Sequence, residues 1–191
     1  MKIRLAKESW DSIECDALIV PVFENEDEGN EFLAALDERL GGLIKELQST
    51  EEWASMAGEV LVIYRPEKLK TARLILLGAG KKESYDSHAI GSLMRKAALK
   101  VKGHNLKRVA FYPRSQVEPQ RAAQAVVEGV ILATYQADDY KTVDRSRNFV
   151  EEILFVSDQD MDVTEVEASM ERGEILANAT NMARKLVNEP G

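Results

Sequence analysis

Short runs in which nearly every residue is apolar alternate along the chain with longer stretches in which apolar residues recur every three or four positions. That alternation predicts strands interleaved with helices, and so an α/β fold built on a mixed, mostly parallel sheet flanked by helices. Residues 3–6 read as the first strand. Residues 17–22, Ala-Leu-Ile-Val-Pro-Val, are apolar without a break, as a strand covered on both faces must be. Pro21 has no amide proton to give a neighbour, so it belongs near the strand's end or at a bulge. A helix is expected from Glu31, capped by Asn30, with Phe32, Leu33, Leu36 and Leu40 facing inward. Gly41-Gly42 ends it, and Leu43, Ile44 and Leu47 begin a shorter one. Residues 59–64 alternate into a β-branched strand. Residues 73–77 form another, which ends at a Gly78-Ala79-Gly80 turn.

In the second half the clearest helix is 88–102, where Ile90, Leu93, Met94, Ala97 and Val101 share a face. Asp86 or Ser87 can cap its start and Gly103 can end it. Residues 108–112 read as a strand closed by Pro113. Pro119 then opens a helix of small residues, with a ridge of Ala122, Val126 and Val130 beside Ala123, Val127 and Ile131. Gly129 weakens that helix, so its presence predicts close packing against a neighbour. Residues 149–156 are the last predicted strand and 163–187 the last helix. In that helix Ile175, Ala179, Met182 and Leu186 line up on one face, flanked by Leu176, Ala183 and Val187. Asn188-Glu189-Pro190-Gly191 breaks it, and the sequence reads there as interrupted rather than as a frayed tail.

Composition narrows the class. Of 191 residues 45% are apolar and 30% charged, the balance of a soluble globular protein. No apolar run approaches the ~18 residues of a membrane span. Cys15 is the only cysteine, so no internal disulfide can form, which fits a reducing compartment such as the cytoplasm. Charge is segregated. Residues 1–60 carry 5 basic and 15 acidic side chains, residues 61–121 carry 14 and 4, and residues 122–191 carry 6 and 14. The basic middle third could attract an anion or an acidic partner. The plainer reading spreads its charges over several solvated faces.

Chemistry-bearing patterns are scarce. Gly78-Ala79-Gly80-Lys81-Lys82 follows a strand, yet a dinucleotide fingerprint needs glycine where Glu83 stands. A phosphate-binding Walker loop needs glycine at Ile75 and Ser or Thr at Lys82. Glu24, Glu26, Glu28 and Gly29 loosely imitate a calcium loop, but its twelfth position is Ala35 instead of a chelating Glu. A solvated acidic loop is the expectation there. Asp138 and Asp139 are adjacent and do not converge on one atom. His88 and His104 stand near opposite ends of one predicted helix, about 24 Å apart at 1.5 Å per residue. They cannot form a metal pair or a dyad, and Cys15 has no evident partner. Lys96, Lys100, Lys102, Lys107 and Arg108 could touch phosphates, without any nucleic-acid-binding signature beside them. The residues therefore define no catalytic, cofactor-binding or metal site.

Three stretches nonetheless resemble one family, the cytosolic leucyl aminopeptidases. They are the strand and turn from Arg73 to Glu83, the Glu128-Gly129 helix continuing to Tyr135 with Tyr140-Lys141 beyond it, and Ala183-Arg184-Lys185-Leu186-Val187-Asn188-Glu189-Pro190-Gly191. Ala137 departs from the family's usual Phe. The resemblance covers the chain as the family's N-terminal part, and what it implies is specific. Residues 1–160 are expected to be a macro-domain-like accessory domain, and residues 161–191 a linking helix leading to a peptidase domain absent from this chain. That domain would carry two divalent metals, Zn or Mn, and remove N-terminal residues such as Leu from peptides. The whole would assemble as a homohexamer. This part would contribute to assembly or to active-site access without hydrolysing peptides itself. Two alternatives compete, both as a stand-alone anion-binding module. One is DNA binding through residues 61–121. The other is ADP-ribose binding, as in true macro domains. Asp16-Ala17 fits that pattern, but no Asn follows for the ribose, and the acidic 24–31 segment would repel a diphosphate.

Overall fold

The computed structural model describes residues 2–6, 8–26, 29–100, 106–114, 117–133, 135, 150–157 and 161–188. Six strands are present among them: β1 (Lys2–Leu5), β2 (Ala17–Phe23), β3 (Val60–Tyr64), β4 (Arg73–Gly80), β5 (Arg108–Phe111) and β6 (Glu152–Phe155). The helices are α1 (Glu31–Arg39), α2 (Leu43–Ser49), α3 (Ser87–Lys100), α4 (Pro119–Ala133) and α5 (Val163–Asn188). The strands make one sheet in the order β1-β6-β5-β2-β4-β3. Every pairing is parallel except that of β3, which runs antiparallel to β4 at one edge. The mixed, mostly parallel α/β fold expected from the sequence is the fold observed.

Strand β2 lies in the middle and explains its own composition. Leu18, Val20 and Val22 enter a core with Leu36 of α1 and Ile44 of α2, while Ile19 and Phe23 enter a second core with Met94, Val130 and Met170. A strand with hydrophobic layers on both sides leaves no place for a polar residue. Pro21 sits where expected. Pairing with β5 stops at Ile19 opposite Phe111, and the register against β4 shifts between Val22 and Phe23.

Capping residues fix the helix starts. Asn30 accepts from the Leu33 amide at 3.0 Å, Asp86 from that of Ala89 at 2.8 Å, and Asp162 from those of Thr164 and Glu165 at 2.9 and 3.2 Å. Gly129 does allow a close approach: a Cβ there would lie 2.5 Å from the Gly91 carbonyl oxygen of α3. Gly173 plays the same part where α5 crosses α4, with the Gln124 carbonyl oxygen 2.8 Å from its would-be Cβ.

Several boundaries differ from expectation. β1 is Lys2–Leu5, β3 starts at Val60, and α5 continues through Asn188. The predicted end of the third helix at 102 and the predicted start of the last strand at 149 lie outside the described residues. The larger correction concerns Gly78-Ala79-Gly80, which is no turn. β4 runs through to Gly80. Its glycines are required because the 55–59 segment lies against them: a Cβ on Gly78 would be 2.1 Å from the Met56 carbonyl oxygen. That segment turns with the Glu59 amide on the Met56 carbonyl at 3.0 Å, and Gly58 at φ +90° takes the left-handed conformation such a turn needs. Gly58 and Glu59 then both face Gly78, a one-residue bulge that leads into β3.

Candidate functional site

A crevice of about 560 Å³ opens at the carboxyl ends of β2 and β4, between Glu24-Asn25-Glu26 on one side and Lys81-Lys82 on the other. Open, mainly parallel sheets bind their ligands at such strand ends. The Glu24 amide donates to the Gly80 carbonyl at 2.9 Å and ties the two rims together.

The chemistry beneath the crevice is organised by Arg114, which follows β5 at φ +61°. Its guanidinium meets both carboxylate oxygens of Glu26, one of them at 2.6 Å, in a fork-on-fork pair. It also donates to Asn30 Oδ1 at 3.1 Å and to the Pro21 carbonyl at 3.4 Å. The rings of Phe23 and Phe32 lie 5.0 and 4.8 Å away, close enough for cation–π attraction. Both charged side chains are buried, Arg114 at 6% and Glu26 at 5% exposure. One cation thereby joins the loop after β2, the start of α1 and the end of β5. Beside it, Tyr85 donates to the Pro113 carbonyl at 2.9 Å and sets its ring edge against Phe23. Burial pushes the Tyr85 phenol far above its ordinary range, while the nearby Arg114 charge acts weakly the other way. The groups named here hold one another, and the crevice floor offers a scaffold rather than a base or a nucleophile.

Sequence reasoning missed this arrangement. Glu26 was expected in a solvated acidic loop, and it is instead buried because Arg114 neutralises it. The only sequence hint is a charged residue directly after the apolar run of β5 and Pro113. Other predicted residues disperse. Glu24, Lys81 and Lys82 line the crevice mouth. His88 lies on α3, in a groove shared with Arg95 and Glu128. His104, Lys102, Asp138, Asp139 and Tyr140-Lys141 lie outside the described residues. Cys15 is buried with its thiol 3.4 Å from Thr71 Oγ1, and burial raises its pKa. Within the basic middle third, Lys107 pairs with Glu151 at 3.1 Å and Arg108 with Glu152 at 2.8 Å. Segregation along the sequence thus becomes partial neutralisation in space. Among the described residues no three His, Cys, Asp or Glu side chains come together as a metal site.

Fold and crevice together define an α/β domain with a ligand-sized opening at its strand ends and a buried Arg114–Glu26 pair beneath it. The model of the cytosol aminopeptidase family, N-terminal domain, matches residues 19–144, and the chain belongs to that family as its N-terminal domain. Probable cytosol aminopeptidases of Alkaliphilus oremlandii and Solibacter usitatus are each 32% identical over the whole chain, which covers 39% and 36% of them. The chain therefore spans about two-fifths of the length of these curated relatives. A tomato leucine aminopeptidase mutant shares the fold with a TM-score of 0.83 at 21% identity, over 100% of this chain and 38% of that one. The bottromycin maturation enzyme BotP in complex with Mn gives 0.65 at 18% identity, over 92% of this chain and 32% of that one.

Proposed function

We propose that this chain is the non-catalytic N-terminal domain of a metal-dependent aminopeptidase, with residues 161–191 joining it to a peptidase domain. That domain would remove N-terminal residues such as Leu from peptides, using two divalent metals, Zn or Mn. The full protein would work in the cytoplasm as a homohexamer, and the present domain would serve assembly or access to the active sites.

One observation carries this reading. Helix α5 has two apolar stripes. Val166, Met170, Gly173 and Ala177 are buried against the domain's own core. Ile175, Met182 and Leu186 are 61%, 65% and 61% exposed. Residues 166, 173 and 177 precede 175, 182 and 186 by nine positions each, about half a turn out of phase at 3.6 residues per turn. The stripes therefore lie on opposite sides of the helix. A helix that is apolar on two sides needs a neighbour on each, and only one side is covered among the described residues. The much greater length of the relatives supplies a candidate for the second.

The test compares this chain with its full-length parent in Leu-amide hydrolysis with added Mn²⁺ or Zn²⁺. The parent should turn over and the chain should not. Turnover that follows the 191-residue chain through purification would end the non-catalytic reading.

A further inference from the structure

Asp37, on α1, is 4% exposed. Its Oδ1 accepts from the Ile44 amide at 2.8 Å, satisfying a donor in the first turn of α2, where Gly42 has no side chain for the task. Among the described residues no lysine, arginine or histidine is paired with it, whereas Glu26 has Arg114 and Asp11 has Arg39. Holding the Ile44 amide does not require a charge. An asparagine would accept the same hydrogen bond, and a buried charge without a counter-charge is costly.

Asp37 also lines a cavity of about 360 Å³ between α1 and α2. Leu33, Ala34 and Ile44 give it an apolar wall, and Lys45 is an exposed member of its lining. Glu26 borders both this cavity and the crevice at the strand ends, so its pair with Arg114 belongs to the partition between them. An apolar wall with a few placed polar groups, at this volume, is the usual make-up of a small-molecule site.

We infer that this cavity binds a small organic ammonium with an aliphatic body, its charge on Asp37 and its body against Leu33, Ala34 and Ile44. An ammonium supplies the counter-charge that Asp37 lacks, and its three N–H donors suit a carboxylate with one oxygen already engaged. The other ligand classes fit less well. A bare divalent cation needs six or more oxygen ligands, and the apolar wall offers none, while the Glu26 oxygens are held by Arg114. An anion would meet Asp37 and Glu26 together. A neutral hydrocarbon would leave the Asp37 charge unanswered. Lys45 forms no ion pair with Asp37, and its strongly hydrated ammonium keeps to the exposed side of the lining. The inference does not depend on the peptidase reading, since it concerns a ligand of this domain and is read by binding rather than turnover.

Titration of the nitrogen-15-labelled chain, followed by amide chemical shifts, tests it with three probes that share one branched body: isoamylamine, isoamyl alcohol and isocaproate. Isoamylamine should give saturable shifts centred on Ala34, Asp37 and Ile44. It should bind at least about tenfold more tightly than the alcohol, the worth of one charge-assisted hydrogen bond. Isocaproate should not bind there. Asp37→Asn keeps an acceptor for the Ile44 amide and should weaken the amine at least about tenfold while leaving the alcohol unchanged. Ala34→Phe, at an exposed helical position, should fill the cavity and abolish binding with an unchanged far-ultraviolet circular dichroism spectrum, so the matter is decided even if the Asp37 variant unfolds. Lys45→Met removes a neighbouring like charge and should leave the amine bound as tightly or more so. The absence of saturable amine shifts in α1 and α2 overturns the inference. So does equal binding of amine and alcohol, or amine binding that survives both Asp37→Asn and Ala34→Phe. A preference for isocaproate that Lys45→Met abolishes would also overturn it and make the cavity an anion site.

Discussion

Under the crevice, charged and aromatic groups from four segments are buried and matched to one another. Along the outer side of α5, large apolar side chains stand exposed, with no element of the described residues covering them. The first region has the residue types from which active sites are made, and its charges are occupied in holding the fold. The second has no reactive chemistry and a large unmet demand for contact. The contrast teaches that the polar groups gathered around Arg114 hold this fold together, while the exposed apolar stripe of α5 contributes nothing to the core.

The comparison breaks most visibly at Glu26. Glu26→Ala leaves the Arg114 guanidinium buried without its counter-charge, and removing one member of a buried pair costs about 3–5 kcal/mol. Urea unfolding should show the free energy of unfolding reduced by that amount, as a lower midpoint at an unchanged slope. A change under about 0.5 kcal/mol, the range of ordinary surface substitutions, would mean that water reaches the pair and that the floor is not closed.

Helix α5 supports an internal control. Met170 is 4% exposed, and Met170→Ala should cost about 2–5 kcal/mol through the cavity it leaves. Met182 is 65% exposed, and Met182→Lys should change the stability of the isolated chain by no more than about 0.5 kcal/mol. On the proposed reading, the same Met182→Lys in a longer protein that includes the peptidase domain should impair assembly or activity, measured by mass and by Leu-amide turnover. Equal effects of the two substitutions on the isolated chain would erase the difference between the two sides of the helix. A smaller effect is expected at the crevice mouth. Lys81→Ala and Lys82→Ala, both at exposed positions, should each stay within about 0.5 kcal/mol of the parent in thermal or urea unfolding.

What the sequence disclosed and what it hid follow the range of the interactions concerned. The unbroken apolar run of β2, the Asn30 cap and the close packing at Gly129 are local or single-residue signals, and each was legible. Gly78 and Gly80 were misread because the same dipeptide spacing serves a tight turn or a strand crowded by another segment, and only the position of Met56 distinguishes them. The Arg114–Glu26 pair joins residues 88 positions apart, so no spacing could announce it. In α5 the 175–186 stripe was visible, but periodicity marks apolar faces without saying which of them the domain itself covers. Burial at Val166 and Met170 supplies that distinction.

The smallest expected effect comes from an ion pair of the same chemistry placed within reach of water. Asp11 accepts from Ser9 at 2.6 Å and from Arg39 at 2.6 Å, with both charged side chains 30% exposed. Arg39 also lies over the Trp10 ring at 4.9 Å. The Ser9 hydrogen bond first, and the Arg39 charge and hydrogen bond with it, hold the Asp11 carboxyl below its ordinary value of 3.8 against a smaller opposing effect of burial. A carboxyl whose pKa is lower folded than unfolded binds its proton more readily in the unfolded chain. Its stabilisation is therefore complete above the unfolded value and disappears as pH falls through the folded one. Asp11→Asn should leave a shallower loss of stability below pH 3.8 and only a slight change at neutral pH, where solvent screens the pair. Unfolding midpoints recorded down an acid series would show it. An acid limb of unchanged steepness would mean that Asp11 titrates alike in both states, and that an ion pair in this fold needs the enclosure around Arg114 before it contributes measurably.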